Sequence, residues 1–379
     1  MSLAFDFQPR TRIVFGVGTI ERAGELSAEL GVRKVLVVTD AGVVKAGHVD
    51  QLLQSLSRAK LQSVVFDKVH ENPTALDVDA CLQVAKGDGI DLIIGLGGGS
   101  SLDTAKGCNF LLTNGGRMQD YWGIGKATKP MLPFIAIPTT AGTGSECQSV
   151  ALIADEKTHA KMACGDHKAA ARVAILDPAL TLSQPARVTA CTGIDALSHA
   201  VESAVTRKRT PLSMLYSREA FRLCASSLPK IFRNPKDIEA RANMLLGAAF
   251  AGTAIENSML GAAHSAANPL TAHFNIIHGQ AVGMLLPAVV QFNSVDTQAR
   301  EIYQQFELPE GATSLVSWLS EVLDQAGMPK SLSECGVERS DIPMMAAEAA
   351  KQWTAGFNPR AINEADFVKL YEQVFTSRS

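Results

Sequence analysis

An aspartate and a histidine four residues apart are the first side chains in this sequence whose types and spacing could do chemistry. In a predicted helix, Asp195 and His199 lie on one face and can point at the same ion. His264 and His278 follow in Ala- and Gly-rich segments, where burying an unpaired imidazole is costly. One carboxylate and three imidazoles suit a borderline divalent metal, Fe²⁺ or Zn²⁺. We therefore predict a metal site of these four residues, although the first pair alone also fits a surface or capping pair.

Three consecutive glycines and a serine predict a turn that could hold phosphate. Gly97-Gly98-Gly99-Ser100 stands between a predicted buried strand and a predicted helix. Glycines let the backbone approach a phosphate closely, and a helix N-terminus offers unpaired N–H groups and a positive dipole end. The segment is not the strict dinucleotide-binding fingerprint, because Ser100 occupies the place of its last glycine. It therefore predicts either a pyrophosphate site or a tight strand-to-helix turn.

Asp40 closes the second strand-like run of the chain. A carboxylate there can accept a hydrogen bond from a ribose hydroxyl and would repel a 2′-phosphate, which favours NAD over NADP. An N-cap for the following helix explains the residue equally well. A hydroxyl-rich loop at residues 138–145 also follows a strand. It could line the nicotinamide side of a cofactor or form a flexible turn.

The elements that must position these residues differ between the two halves of the chain. Apolar runs at 34–40, 63–66, 91–95, 134–138 and 173–177 alternate with helical patterns. This alternation predicts a parallel sheet covered on both faces. Beyond Ser183 the apolar spacing is helical, at 185–206, 211–227, 236–254, 279–293, 311–326, 339–353 and 362–375. We predict an α/β dinucleotide-binding domain over residues 1–183 and an all-helical metal-binding domain over 184–379.

Composition excludes several classes of protein. The 379 residues carry 35 Lys and Arg against 38 Asp and Glu, a net charge of −3 that argues against a nucleic-acid or membrane partner. Seven cysteines without a CxxC pair predict reduced thiols. No signal peptide is evident, and the longest apolar stretches are about half the length needed to span a bilayer. We expect a soluble cytoplasmic protein.

Taken together, the segments resemble the iron-containing (group III) alcohol dehydrogenase family. The matching residues are Gly97-Gly98-Gly99-Ser100-x-x-Asp103-x-Ala105-Lys106, Pro138-Thr139-Thr140-x-Gly142-Thr143-Gly144-Ser145-Glu146, Asp195-Ala196-x-x-His199-x-x-Glu202, His264 and His278-Gly279. The resemblance implies an α/β N-terminal dinucleotide-binding domain plus an all-α C-terminal domain, a dehydroquinate synthase-like fold that tends to form homodimers. It implies the metal ligands Asp195, His199, His264 and His278. Around the cofactor it implies Asp40, Asn72, Gly98, Gly99, Ser100, Asp103, Thr139, Thr140, Thr143 and Lys161.

The activity that the resemblance implies is metal-dependent, NAD(P)-linked and reversible hydride transfer between a small aliphatic alcohol or diol and its aldehyde or ketone. Many family members carry a further histidine four residues after the third metal ligand, but here Asn268 stands there and cannot carry a proton near neutral pH. His273 is predicted to be a structural or surface residue. Ile255 and Trp353 stand roughly where family members vary their substrate contacts, although core packing explains both as well.

The sequence leaves three alternative functions to consider. A glycerol- or polyol-type dehydrogenase is closely related, and a dehydroquinate synthase-like lyase shares the fold. Lyase chemistry on a phosphorylated, carboxylated substrate needs clustered Lys and Arg, but 193–202 and 261–280 contain neither. An inactive dinucleotide sensor is disfavoured by the complete metal-ligand set.

Overall fold

Two compact units make up the computed structural model, which describes residues 4–87, 89–156 and 161–376. Among these residues, Gln8–Gln184 forms one unit, called here the α/β unit. Residues 185–376 form the helical unit, and residues 4–7 belong to it rather than to the first unit. The Phe7 ring lies 6.1 Å from that of Tyr216, so an apolar side chain ties this segment to the helices.

A six-stranded parallel sheet is the centre of the α/β unit. The strands of the unit are β1 Arg12–Phe15, β2 Lys34–Val38, β3 Gln62–Phe66, β4 Leu92–Gly97, β5 Gly123–Ile124, β6 Phe134–Pro138, β7 Val150–Ala154, β8 Lys161–Gly165 and β9 Val173–Leu176. The main sheet has the order β1-β9-β6-β4-β2-β3. The other five strands of this sheet confirm the five predicted apolar runs, whereas β1, at the edge, was not predicted.

Apolar side chains cover both faces of this sheet. The helices of the unit are α1 Ala23–Glu29, α2 Ala41–Lys45, α3 His48–Arg58, α4 Ala75–Ala85 and α5 Gly99–Asn114. Successive strand residues point to opposite faces, so Leu36 and Ile93 join the core beside α4 and α5. Val37 and Ile94 join the core that includes α1 and α3. This two-sided burial explains why the strands are almost continuously apolar.

A second, three-stranded sheet supports the start of α5. Strand β8 pairs in parallel with β5 and antiparallel with β7. This sheet was not predicted, because its strands are short and two of them lack a continuous apolar run. Its position matters for the site described below, since the backbone N–H of Leu152 on β7 donates to Asp103 on α5.

Helices account for the regular structure of the helical unit. They are α6 Ala186–Val205, α7 Pro211–Arg233, α8 Ile238–Ser258, α9 Ala262–Phe274, α10 His278–Asn293, α11 Thr297–Tyr303, α12 Leu315–Gln325, α13 Ile342–Lys351 and α14 Glu364–Gln373. The predicted helical segments are confirmed, but α9 and α11 were not among them. Helix α9 contains Pro269 in its interior and is bounded by Gly261 and by Asn275, whose left-handed φ of 53° ends it.

Two general expectations can be compared with the described residues. The seven cysteines, all of which lie within them, form no disulfide. None of the described helices combines the length and the apolarity needed to cross a bilayer.

Candidate metal centre and cofactor site

Three predicted metal ligands come together in the helical unit. Asp195 and His199 are one turn apart on α6, and His264 is the third residue of α9. Oδ1 of Asp195 lies 3.5 Å from Nε2 of His199 and 3.5 Å from Nε2 of His264. One donor atom from each residue falls within 4.8 Å of the others, and all three side chains are buried. This spacing matches three ligands that surround one ion.

Two of these donor atoms have no hydrogen-bond partner. Within the part of the chain that the structure describes, neither Oδ1 of Asp195 nor Nε2 of His264 accepts or donates a hydrogen bond, although both are buried. Leaving such atoms unpaired costs free energy. A cation between them would satisfy both, so the donor set fits the divalent metal that the resemblance implies.

The electrostatics of these three residues also favour a positive charge at the centre of the cluster. Burial opposes ionisation of Asp195, but the neighbouring imidazoles, His199 foremost, outweigh it and lower the pKa well below its ordinary range. Burial likewise opposes charge on His264, yet its interactions with Asp195 and Glu202 raise the pKa to about 9. The site therefore holds an ionised carboxylate among imidazoles, which is the arrangement that attracts a cation.

The fourth predicted ligand lies beside this group. His278 is the first residue of α10, and its ring centroid is 5.3 Å from that of His264. The side chain is half-buried, and it is not one of the three residues whose donor atoms converge within 4.8 Å. Because His278 lies next to the cluster, it remains a candidate for the fourth ligand.

Sequence reasoning gave no role to Glu202, although this residue contacts the site directly. Its Oε2 lies 2.5 Å from Nδ1 of His264, on the side of the ring away from Asp195. The sequence signals were its place in the matching segment Asp195-Ala196-x-x-His199-x-x-Glu202 and its spacing of three residues after His199, which places both on neighbouring turns of α6. The contact itself joins residues 62 positions apart, so no local pattern could reveal it.

In the α/β unit, the glycine segment forms the turn that was predicted between β4 and α5. Gly97 has a φ of +150°, and Gly98 is the N-cap of α5. A Cβ on Gly98 would lie 3.2 Å from Thr140, and one on Gly99 would lie 2.8 Å from Thr143. The backbone of this turn is accessible to a ligand because the glycines carry no side chains. The N-terminus of α5 points its N–H groups into the turn.

Asp40 is the N-cap of α2, which is the alternative to cofactor binding that its position in the sequence also fits. Its Oδ1 accepts hydrogen bonds from the N–H groups of Gly42 and Val43, at 2.8 and 3.1 Å, and so caps α2. Its Oδ2 accepts a long, 3.3 Å bond from Ser101, the residue after Ser100 on α5. The carboxylate thus lies beside the glycine turn, and one oxygen is committed to the cap.

Asp103 and Lys106 form a buried cluster behind the turn. Ser145 donates to Asp103 at 2.6 Å, and Lys106 donates to the backbone and hydroxyl oxygens of Ser145, both at 2.7 Å. Burial raises the pKa of Asp103 despite the opposing charges of Lys106 and Lys161. Asp103 therefore positions the hydroxyl-rich loop through Ser145, and its place at the cofactor stays a prediction.

Two further predicted cofactor residues, Thr139 and Asn72, lie in different surroundings. Thr139 is buried and its N–H donates to the carbonyl of Gly97 at 3.0 Å, so it joins β6 to the glycine turn. Asn72 is exposed, with a left-handed φ of 53°, and precedes Pro73. The structure thus gathers the glycine and threonine residues at one end of the main sheet, as expected for a cofactor loop.

Four other residues considered in the sequence lie in different surroundings. Asn268 donates to Gln352 at 3.0 Å. His273 is exposed and lies 2.9 Å from Glu348, which confirms it as a surface residue. Ile255 is buried in α8, not in the helix that bears His264, and is a packing residue. Trp353 is 44% exposed.

The chain is similar to known proteins along nearly its whole length. The chain is 34% identical to an NAD-dependent methanol dehydrogenase of Bacillus methanolicus over 94% of this chain and 96% of that protein. It is 33% identical to a 1,3-propanediol dehydrogenase of Citrobacter freundii over 98% and 99%. The crystal structure of an alcohol dehydrogenase from Oenococcus oeni superposes with a TM-score of 0.93 at 32% identity, over 98% of this chain and all of that one.

Two family profiles together span nearly the whole sequence. Residues 9–178 match that of iron-containing alcohol dehydrogenase. Residues 189–375 match that of the Fe-containing alcohol dehydrogenase family, C-terminal. The chain therefore belongs to the iron-containing alcohol dehydrogenase family and is an alcohol oxidoreductase.

Proposed function

We propose that the chain catalyses reversible hydride transfer between a small aliphatic alcohol or diol and NAD, with Fe²⁺ as the resident metal and Zn²⁺ as an alternative. The observation that carries this proposal is the buried cluster in which Asp195 Oδ1 and His264 Nε2 face each other without hydrogen bonds. The proposed metal ligands are Asp195, His199, His264 and His278. When bound, the ion supplies Lewis-acid polarisation of the alcohol oxygen, and NAD accepts the hydride.

The helical unit would hold and orient the metal through its own residues. Asp195 contributes a formal negative charge, which favours a divalent ion over a neutral guest. His199 and His264, whose ring centroids are 4.8 Å apart, are packed in nearly parallel planes. Buried, closely packed ligands cannot rotate away, so the site is prepared before the ion arrives.

The α/β unit would bind NAD at the start of α5. The N–H groups around Gly98 and Gly99 suit a pyrophosphate, because no side chain blocks the backbone. Asp40 Oδ2 would accept a hydrogen bond from a ribose hydroxyl while Oδ1 continues to cap α2. Its negative charge would repel the 2′-phosphate of NADP.

The substrate class rests on the relatives and on the composition of the metal-bearing segments. Two of the relatives are named for methanol and for 1,3-propanediol, both small alcohols. The segments 193–202 and 261–280 contain no Lys or Arg that would attract a phosphorylated substrate. Because Asn268 cannot carry the alcohol proton, we propose that this proton leaves through solvent or a cofactor hydroxyl.

The test is NADH formation by the purified protein, stripped of metal and reloaded separately with Fe²⁺ under anaerobic conditions and with Zn²⁺. The panel contains methanol, propanol, 1,3-propanediol and glycerol, the last as the polyol alternative. We expect metal-dependent turnover of the small alcohols and none by Asp195→Ala. Equal turnover by the stripped protein, or by Asp195→Ala, would exclude the proposed metal centre.

We also propose that the protein works as a cytoplasmic homodimer. Light scattering of the purified protein is expected to give twice the chain mass of 40.3 kDa. A mass of one chain at assay concentration would remove the dimer from the proposal.

A further inference from the structure

The carboxylate of Glu202 connects the proposed metal ligand His264 to the start of the helix that carries it. Its Oε2 lies 2.5 Å from His264 Nδ1, and its Oε1 accepts a hydrogen bond from the N–H of Ala263 at 2.7 Å. The residue is 2% exposed, so water contributes little to these contacts. One buried side chain therefore contacts both the ring and the helix end.

We propose that Glu202 is a positioning residue that holds His264 in the tautomer whose Nε2 lone pair can bind the metal. The inference rests on the metal centre proposed above and extends it to a residue outside the ligand set. A neutral imidazole that donates from Nδ1 leaves Nε2 unprotonated, and only an unprotonated nitrogen can be a ligand. A partner that orients a ligand in this way also strengthens its binding of the metal.

The direction of the hydrogen bond follows from the other groups around Glu202. Both oxygens of Glu202 accept hydrogen bonds from backbone N–H groups, Oε1 from Ala263 at 2.7 Å and Oε2 from His264 at 3.4 Å. The side chain therefore lies as an acceptor at the N-terminus of α9, where the helix dipole is positive, and Nδ1 of His264 is the donor of the remaining contact. On the far side of the ring, Nε2 points towards Asp195 Oδ1 and has no hydrogen-bond partner among the described residues. The ring is thus oriented with Nε2 towards the cluster, where a bound metal would take the place of a proton.

A second side chain fixes the same helix end without contacting the imidazole. Asn358 accepts from the N–H of Ala262 at 3.3 Å and forms a reciprocal amide pair with Asn293. A Cβ on Gly261 would lie 3.0 Å from oxygens of both Asn358 and Glu202, so the glycine is what lets the two side chains approach. Asn358 therefore offers a way to separate capping of α9 from control of the ring.

Glu202→Gln tests the proposal because one amide oxygen cannot replace two carboxylate oxygens. Either the ring or the Ala263 N–H then faces an NH₂ group, and the tautomer with protonated Nε2 gains stability. We expect Zn²⁺ affinity, measured by competition with a chromogenic chelator, to fall by about 10- to 100-fold. We also expect an altered visible absorption spectrum of the Co²⁺-loaded protein. The matched control is Glu348→Gln, which breaks the exposed pair with His273 and is expected to leave both readouts unchanged.

Asn358→Ala separates the two roles of the helix end. It weakens the cap of α9 but leaves Glu202 on the ring, so we expect lower thermal stability with a Zn²⁺ affinity near that of the wild type. A fall in affinity as large as that of Glu202→Gln would overturn the proposal, because capping alone would then explain it. An affinity of Glu202→Gln within twofold of wild type, with an unchanged Co²⁺ spectrum, would overturn it as well.

A measurement on the wild type keeps the test independent of whether a variant folds. Long-range ¹H–¹⁵N spectra of the Zn²⁺-loaded, ¹⁵N-histidine-labelled protein report which nitrogen of His264 carries the proton. Protonation at Nδ1 is expected, and protonation at Nε2 refutes the positioning role. Failure of the proposed function has a different signature, namely a wild type that binds Zn²⁺ no more tightly than Asp195→Ala.

Discussion

Replacing Glu146 by glutamine is expected to remove a large part of the pH dependence of stability. Glu146 follows the hydroxyl-rich loop, in a short 3-10 helix at Ser145–Cys147, and is 1% exposed. Its Oε1 has no hydrogen-bond partner among the described residues. Burial raises the pKa of this carboxyl to about 7, against smaller opposing contributions from a backbone N–H and from Lys106. The native protein therefore keeps Glu146 neutral where the unfolded chain ionises it.

The magnitude follows from the two pKa values. A rise from the ordinary 4.5 to about 7 corresponds to about 3 kcal/mol, because a tenfold change in an equilibrium constant is worth about 1.4 kcal/mol. The pKa is raised in the folded state, so this stability is present below the unfolded pKa and is lost as the pH rises through the folded pKa. Between about pH 5 and about pH 8, Glu146 should cost the wild type about 2.5 kcal/mol that Glu146→Gln does not lose.

Urea unfolding of the metal-free, cofactor-free protein at several pH values measures this difference. The free energy of unfolding of Glu146→Gln, minus that of the wild type, should increase by about 2.5 kcal/mol across the range. Glutamine adds a buried amide whose cost does not depend on pH, so the change with pH is the diagnostic quantity. Glu71→Gln, at an exposed position of the same unit, controls for the altered charge. A difference between Glu146→Gln and wild type that stays constant with pH would refute the reasoning.

Three further predictions concern single contacts. Lys106→Met leaves Asp103 buried without its cation and should lower the free energy of unfolding by about 3 kcal/mol or more, measured in urea; an unchanged midpoint would contradict the role of the buried pair. Gly279→Ala places a Cβ 2.0 Å from the carbonyl oxygen of Cys191, so α6 and α10 must separate, and the melting temperature should fall. Asp40→Ser keeps an N-cap oxygen but removes the carboxylate, so kcat/KM for NADP should rise relative to NAD; an equal ratio would exclude Asp40 from cofactor selection.

The fold was largely predictable because its signals are local. Strands such as β4 are buried on both faces and therefore read as continuous apolar runs. Strand β8 could not be recognised in the same way, because it begins at Lys161 and acquires its partners β5 and β7 only in the folded chain. Helix α9 was not among the predicted segments because Pro269 interrupts its helical pattern, and its N-terminus is capped by the distant side chains of Glu202 and Asn358.

In the candidate site, too, the features that depend on local spacing were predictable, whereas the long-range contacts were not. By itself, the sequence determined that Asp195 and His199 share a helix face and that a glycine turn precedes α5, since both follow from spacing along one element. Only the tertiary structure decided that His264 joins that face and that Glu202 binds its other nitrogen. It also decided that Asp103 holds Ser145. Such contacts join residues tens of positions apart, and their energies depend on burial and on the direction of each donor, which no spacing pattern records.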